Sequence, residues 1–190
     1  MKKRFHVNPV RNQKISNGVK IYTKVGDRGY TTLYGGKKIS KTQPLIGLLA
    51  GIDELNSILG VAKAFSRENT LNEWLEMAQN DLFIIQAELG GFHVKPLKGY
   101  KIEKLEKIID KLSVKIDLRG FVVPGGSKVG ALLYFSRAIC RRAEIQAVRH
   151  YSRHKFNPKI LQYLNRLSDF LYILARWENR KTKEKSPTYK

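Results

Sequence analysis

Apolar residues recur at helical spacing along most of the chain, behind a lead segment that has no such period. Ile52, Leu55, Leu59, Ala62 and Phe65 advance by three and four residues, and so do Leu71, Trp74, Leu75, Ala78, Leu82, Ile85 and Leu89. Ile102, Leu105, Ile108, Ile109 and Leu112 form a shorter third stripe, and Leu132, Phe135, Ile139 and Ala143 a fourth. Asn157-Pro158 opens a fifth helix, with Asn as cap and Pro in the first turn, ahead of Ile160, Leu164, Leu167, Leu171 and Leu174. Gly90-Gly91 and Pro124-Gly125-Gly126 punctuate the pattern. Five helices on short connections predict an all-α, antiparallel bundle with a ferritin-like up-down core. Residues 1 to about 43 form a basic, glycine-containing lead segment, with strand-like alternation confined to short pieces such as Lys20–Lys24. The expected organisation is a flexible basic N-terminus over 1–19, one helical domain over 20–180 and a basic tail over 181–190.

Composition sharpens this picture. Among 190 residues, 36 Lys+Arg face 16 Asp+Glu, a formal charge of +20. Apolar residues make up 42%, too many for a disordered chain. Cys140 is the single cysteine, which excludes an internal disulfide framework and suits a reducing compartment, so a cytoplasmic location is expected. No apolar run predicts a membrane span, and Met1-Lys2-Lys3-Arg4 is followed by no apolar signal core. The charge is uneven: residues 1–52 carry eleven Lys/Arg against Asp27 alone, and Arg176 to Lys190 carries six against Glu178 and Glu184. Such a surplus concentrates anions at the surface. The tail reads first as a solvated, frayed end. Nothing resembling an RNP motif, zinc finger or zipper accompanies it, so nucleic acid is a weak expectation.

Four places could carry chemistry. Thr23 to Lys37 packs four glycines and three threonines among several cations, which suits a phosphate cradle of backbone N–H groups, hydroxyls and positive charge. It is not a Walker A loop, because Lys38 follows Gly36-Lys37 where Ser or Thr is required. A tight turn between two short extended pieces fits the same residues. On the fourth helix Arg137, Arg141 and Glu144 share a face beside Arg142, so two guanidiniums could grip a polyphosphate while Glu144 orients an arginine or holds a metal through water. A solvated face with intrahelical ion pairs is the competing reading. Asn165, Arg166, Ser168 and Asp169 interrupt the fifth apolar stripe and must find hydrogen bonds, either within the bundle or to a ligand. Asp53 and Glu54 read as acids near the start of the first helix, suited to its dipole or to an ion pair with another helix. His150 and His154 share a face, but neighbouring Arg149, Arg153 and Lys155 disfavour a cation there. There is no arrangement of a nucleophile with a general base.

Taken together, these blocks resemble one family, the PduO-type corrinoid adenosyltransferases, which make adenosylcobalamin from ATP and reduced cobalamin. The resemblance rests on Ile21-Tyr22-Thr23-Lys24 through Gly36, Asp53-Glu54-Leu55-Asn56, Phe121 to Gly126, Arg137 with Arg141-Arg142-Ala143-Glu144, and Tyr163 to Asp169, in family order. It implies a homotrimer with ATP bound between neighbouring subunits. On that likeness Thr23, Lys24, Val25, Gly26, Thr31, Thr32 and Lys41 hold the nucleotide, and Arg141, Arg142, Ala143, Glu144, Ile145 and Asn165 complete the site. Arg137 is expected to pair with Asp53 across a subunit boundary beside the corrinoid, and Phe121 to sit against the lower corrin face. Magnesium at Glu144 and a corrinoid reductase as electron source follow from the same likeness. Two positions depart from the family pattern: Gly47 stands where an acid is usual, and Ile145 where a base is frequent. The competing class is a non-catalytic basic helical module, binding nucleic acid or serving as a scaffold.

Overall fold

The computed structural model describes residues 22, 24–182 and 184–188. The expected flexible segment 1–19 and Lys20, Ile21 and Thr23 of the Lys20–Lys24 piece lie outside the described residues. Among the described residues five α-helices follow a small hairpin: α1 Pro44–Phe65, α2 Asn69–Leu89, α3 Gly99–Ser113, α4 Lys128–Arg153 and α5 Lys159–Glu178. The helical bundle is as the periodicity predicts. Ahead of the helices β1 Tyr30–Thr32 pairs antiparallel with β2 Lys38–Ser40.

Cross-helix contacts fix the directions. Gln79 and Gln86 of α2 donate to the carbonyl oxygens of Asn56 and Leu49, so α2 runs back along α1. Arg142 pairs with Glu54, and a Cβ on Gly51 would meet the Ala143 side chain at 3.7 Å, so α4 is antiparallel to α1 as well. α5 packs on α4 and on α3. The core is built from the predicted stripes: Leu48, Ile52, Leu55 and Leu59 of α1, Leu71, Leu75, Leu82 and Ile85 of α2, and Leu164, Leu167 and Leu171 of α5 are all fully buried. α1 is also long and apolar enough to cross a membrane by length and composition, against expectation, but this row of residues is spent on the bundle core.

Two aromatic assignments fail. Phe65 and Phe135 are more than half exposed, because each falls on the outer edge of its helix. On α4 Ile139 and Ala143 are buried as expected, and Val129, Leu133, Tyr134, Ser136, Cys140 and Ala147 complete the inward face in place of Phe135. Asp53 and Glu54 are also displaced from their expected place: α1 starts at Pro44, so they lie well inside the helix and do not face its dipole. Asn157 does cap α5, accepting from the Lys159 N–H at 3.1 Å and donating to the Leu97 carbonyl at 3.1 Å.

One polar group is enclosed by the core. The Asp81 side chain is 3% exposed, ion-pairs with Lys101 of α3 and accepts from the Tyr163 hydroxyl of α5 at 3.0 Å. It ties three helices by charge-assisted hydrogen bonds, and burial together with this carboxylate raises the Tyr163 pKa well above its ordinary value. Asp81→Ala leaves Lys101 and Tyr163 without their partner, and a loss of about 3 kcal/mol in urea unfolding is expected. A loss below about 1 kcal/mol would mean that water replaces the carboxylate.

Candidate functional site

The lead segment folds as a turn followed by a hairpin. Lys24 adopts a left-handed conformation (φ 60°), the single non-glycine residue to do so among those described, and starts a 3₁₀ turn over Val25–Arg28. The turn closes through Gly29 N–H to the Gly26 carbonyl at 3.2 Å. Lys41 folds back over it: its N–H meets the Gly29 carbonyl at 2.8 Å and its Nζ the Gly26 carbonyl at 3.0 Å. Thr31 is half-buried opposite Ile39, and Thr32 is exposed opposite Lys38. The tight-turn reading is therefore the local structure, and the cations and hydroxyls that suit phosphate are mounted on it. Tyr34 at the hairpin tip packs on Phe92 after α2, ring centroids 3.6 Å apart, which seats the hairpin against the bundle.

α4 carries the arginines because its start is pinned. Ser127 caps it by accepting the Gly130 N–H at 2.9 Å, and Asn179 at the end of α5 accepts the Ser127 N–H at 3.0 Å. With Cys140, Ala143 and Ala147 inward, Arg141, Arg142 and Ile145 point outward. Arg141 forms no hydrogen bond or ion pair among the described residues. Arg142 pairs with Glu54. Glu144 accepts from the Asn165 amide at 2.8 Å, so it orients an asparagine on α5 and not an arginine. Asp169 pairs with Arg166 one turn earlier at 2.9 Å, and Arg166 also reaches Glu106 of α3 at 3.1 Å.

Arg137 does not meet Asp53 within the chain. Its guanidinium lies over the Tyr172 ring, 5.5 Å from the centroid, while Asp53 is exposed. Arg137 instead joins Phe121, which is 78% exposed, around a cleft of about 420 Å³ completed by Leu118, Gly120, Asp169 and Tyr172. The structure thus brings together Lys41 with Gly26, Glu144 with Asn165, and Phe121 with Arg137. It joins the lead segment to Arg141 or Asn165 by no hydrogen bond or ion pair among the described residues.

The tail holds a residue that sequence reasoning missed. Glu184 accepts from the Tyr134 hydroxyl at 2.8 Å and the Asn179 amide at 3.0 Å, and pairs with Arg176 at 2.7 Å; the two charged side chains are 13% and 8% exposed. Next to it the Lys185 carbonyl accepts the Val123 N–H at 2.8 Å. Glu184 and Lys185 therefore tie this part of the tail to the start of α4, the end of α5 and the loop that bears Phe121. Burial and the Glu184 carboxylate push the Tyr134 hydroxyl above its ordinary pKa. The one clue in the sequence was an acid inside a basic run. Tyr172, which lines the cleft under Arg137, was also missed.

Burial likewise pushes the Cys140 thiol far up, and its Sγ donates to the Leu164 carbonyl at 3.3 Å, so it is a packing residue. Among the described residues no group of three or more His, Cys, Asp or Glu side chains could hold a metal.

With this geometry established, comparison with known proteins is decisive. The sequence profile described as "Cobalamin adenosyltransferase" matches residues 21–178. The chain belongs to the cobalamin adenosyltransferase family. It is 34% identical over 166 residues to corrinoid adenosyltransferase PduO of Salmonella typhimurium, covering 84% of this chain and 49% of that protein. It is 37% identical over 175 residues to the corrinoid adenosyltransferase of Bacillus subtilis, covering 86% and 89%. The chain thus spans about half the length of the PduO relatives and most of the Bacillus one. A phenylalanine-to-alanine variant of the PduO-type ATP:corrinoid adenosyltransferase from Lactobacillus reuteri, complexed with cobalamin and ATP, superposes with a TM-score of 0.83 at 30% identity. That match covers 90% of this chain and 99% of the other. An arginine-to-lysine variant of the same enzyme, complexed with ATP, gives 0.82 at 30% identity over 90% and 100%.

Glu184 anchors the tail on Tyr134, Asn179 and Arg176, and the neighbouring Lys185 carbonyl ties it to the Phe121 loop. Glu184→Gln keeps the shape but removes the charge beside Arg176; a stability loss of about 1–3 kcal/mol is expected, with faster proteolysis of residues 118–126. An unchanged cleavage pattern would show that the strap does not restrain the loop. Cys140 is expected to resist iodoacetamide until the bundle unfolds, and rapid labelling at neutral pH would contradict its burial.

Proposed function

We propose that this protein transfers the 5′-deoxyadenosyl group of ATP to the cobalt of a reduced corrinoid, cob(I)alamin, and releases triphosphate. Residues 20–180 form the catalytic unit. The observation that carries this reading is the cleft in which a largely exposed phenylalanine, Phe121, stands beside the Arg137 guanidinium. An apolar ring left in solvent next to a cation suits a large, flat, polar-edged substrate. The solved relatives complexed with cobalamin and ATP support the same assignment.

The chemistry agrees with the residue types. Cob(I)alamin is itself the nucleophile: cobalt donates an electron pair to the ribose C5′, the C5′–O bond breaks, and triphosphate departs with that bond's electrons. No side chain need attack or abstract a proton. The protein supplies alignment and cations for the leaving group. Lys24, Val25, Gly26, Thr31, Thr32 and Lys41 present N–H groups, hydroxyls and charge, and Thr23 belongs to the same reading. Arg141, Arg142, Ala143, Ile145 and Asn165 supply the opposing wall, with Asn165 aimed by Glu144. Phe121 keeps an axial base off the cobalt, which eases reduction to Co(I).

Magnesium fits as a companion of the triphosphate and not as a resident ion. It keeps several waters and needs one or two carboxylates besides phosphate, and Glu144 is the donor we assign. The assembly we infer is a homotrimer. In one chain no hydrogen bond or ion pair joins the lead segment to Arg141 among the described residues, and α4 exposes Phe135, Ile145 and Val148 about half to solvent, apolar surface that a second copy would cover. Asp53 and Arg137 would then meet between subunits. A reductase that delivers the electron and a cytoplasmic setting complete the reading.

Incubation with ATP, magnesium and chemically reduced cobalamin is expected to give the absorbance change of a new Co–C bond. Its absence from folded protein would favour a non-catalytic basic module. Arg141→Ala should lower turnover by about 10²-fold or more with little change in melting temperature, because the side chain is exposed and unpaired. An equal loss of stability would make it a structural arginine.

A further inference from the structure

A second cleft, of about 500 Å³, opens between the end of the hairpin, the start of α1 and the last turns of α4. Lys41, Thr42, Gly47, Gln146, Arg149 and Arg153 line it, and no acid borders it. None of the three cations ion-pairs with a carboxylate among the described residues. α1 begins here with neither a side-chain cap nor an acid in its first turn, so its positive end adds to the field. Gly47 has no side chain, and nothing lies within 4 Å of where a Cβ would stand, so the space between the cations stays open. Three uncompensated positive charges around one cavity repel each other and are relieved by a polyanion.

Lys41 decides which polyanion. Its Nζ rests on the Gly26 carbonyl in the nucleotide turn, 3.0 Å away, while the same side chain borders the cleft. The cleft therefore continues from the cradle on its phosphate side. We infer that Arg149 and Arg153 bind the terminal phosphate of a triphosphate chain, making the site selective for tri- over diphosphates and retaining the released triphosphate. Two guanidiniums one turn apart suit the dense charge of a terminal phosphate, which has the most free oxygens of the chain. This inference rests on the ATP reading above.

Calorimetric titration with ATP, ADP and inorganic triphosphate tests it without turnover. In the R149A/R153A protein, ATP and triphosphate are expected to bind about tenfold more weakly or worse, while ADP changes by less than about twofold. R149K/R153K should keep most of the binding. Both arginines are exposed, so circular dichroism should show an intact bundle. Equal losses for ATP and ADP would reduce the arginines to a general field, and unchanged triphosphate binding would remove them from the site; either overturns the inference. If the wild type forms no Co–C bond but its triphosphate binding follows this pattern, the function reading fails and the cleft stands. If it forms the bond and the variants bind triphosphate like wild type, the cleft assignment fails alone.

Discussion

Close packing of α4 against α1 and α5 is the constraint on which everything else depends. The inward side of α4 is a row of small residues, Gly130, Ser136, Cys140, Ala143 and Ala147, and α1 answers with Gly51. A Cβ at Gly130 would lie 2.1 Å from the Asn179 Oδ1, so that position has no room for any side chain. Asn179 uses the space to accept the Ser127 N–H and to donate to the Gly125 carbonyl and Glu184. The start of α4 is thereby locked to the end of α5. Once register and rotation are fixed, the helix period places Arg137, Arg141 and Arg142 on the far side without further instruction.

The two clefts lie toward opposite ends of this helix. Arg137 serves the cleft with Phe121, and Arg149 and Arg153 serve the basic one. Between them sit Arg141, Arg142 and the Glu144–Asn165 pair. On the function proposed above, one rigid element carries groups for a flat, polar-edged partner at one end and for a polyanion at the other. That division suits a reaction in which the substrate supplies the nucleophile and the protein supplies alignment and counter-charge.

Much of this was legible in the sequence. The five helices followed from apolar spacing, and the stripes of α2 and α5 are core almost residue for residue. α4 was read less well because its buried face is made of small and polar side chains, so Phe135 looked like core when it is surface. The hairpin was legible only as one of two readings of the lead segment, since strands of three residues leave too short an alternation to place their bounds. Charged partners were the hardest to foresee. Arg142 with Glu54 and Asp81 with Lys101 join residues far apart in the chain, and Arg176 meets Glu184 only because the chain turns back after α5; no local pattern encodes such pairs. Asp53 and Arg137 show the converse: two residues matched by family likeness that a single chain leaves apart.

The central claim is that the turn around Gly26 and Lys41 in one copy and Arg141 with Asn165 in another enclose one triphosphate. The most direct measurement is a crystal structure of the protein grown with ATP and magnesium. The account predicts nucleotide density between copies, its phosphates touching the Lys24–Lys41 segment of one and Arg141 of the next. Nucleotide held by one copy alone, or bound away from Arg141, would contradict it.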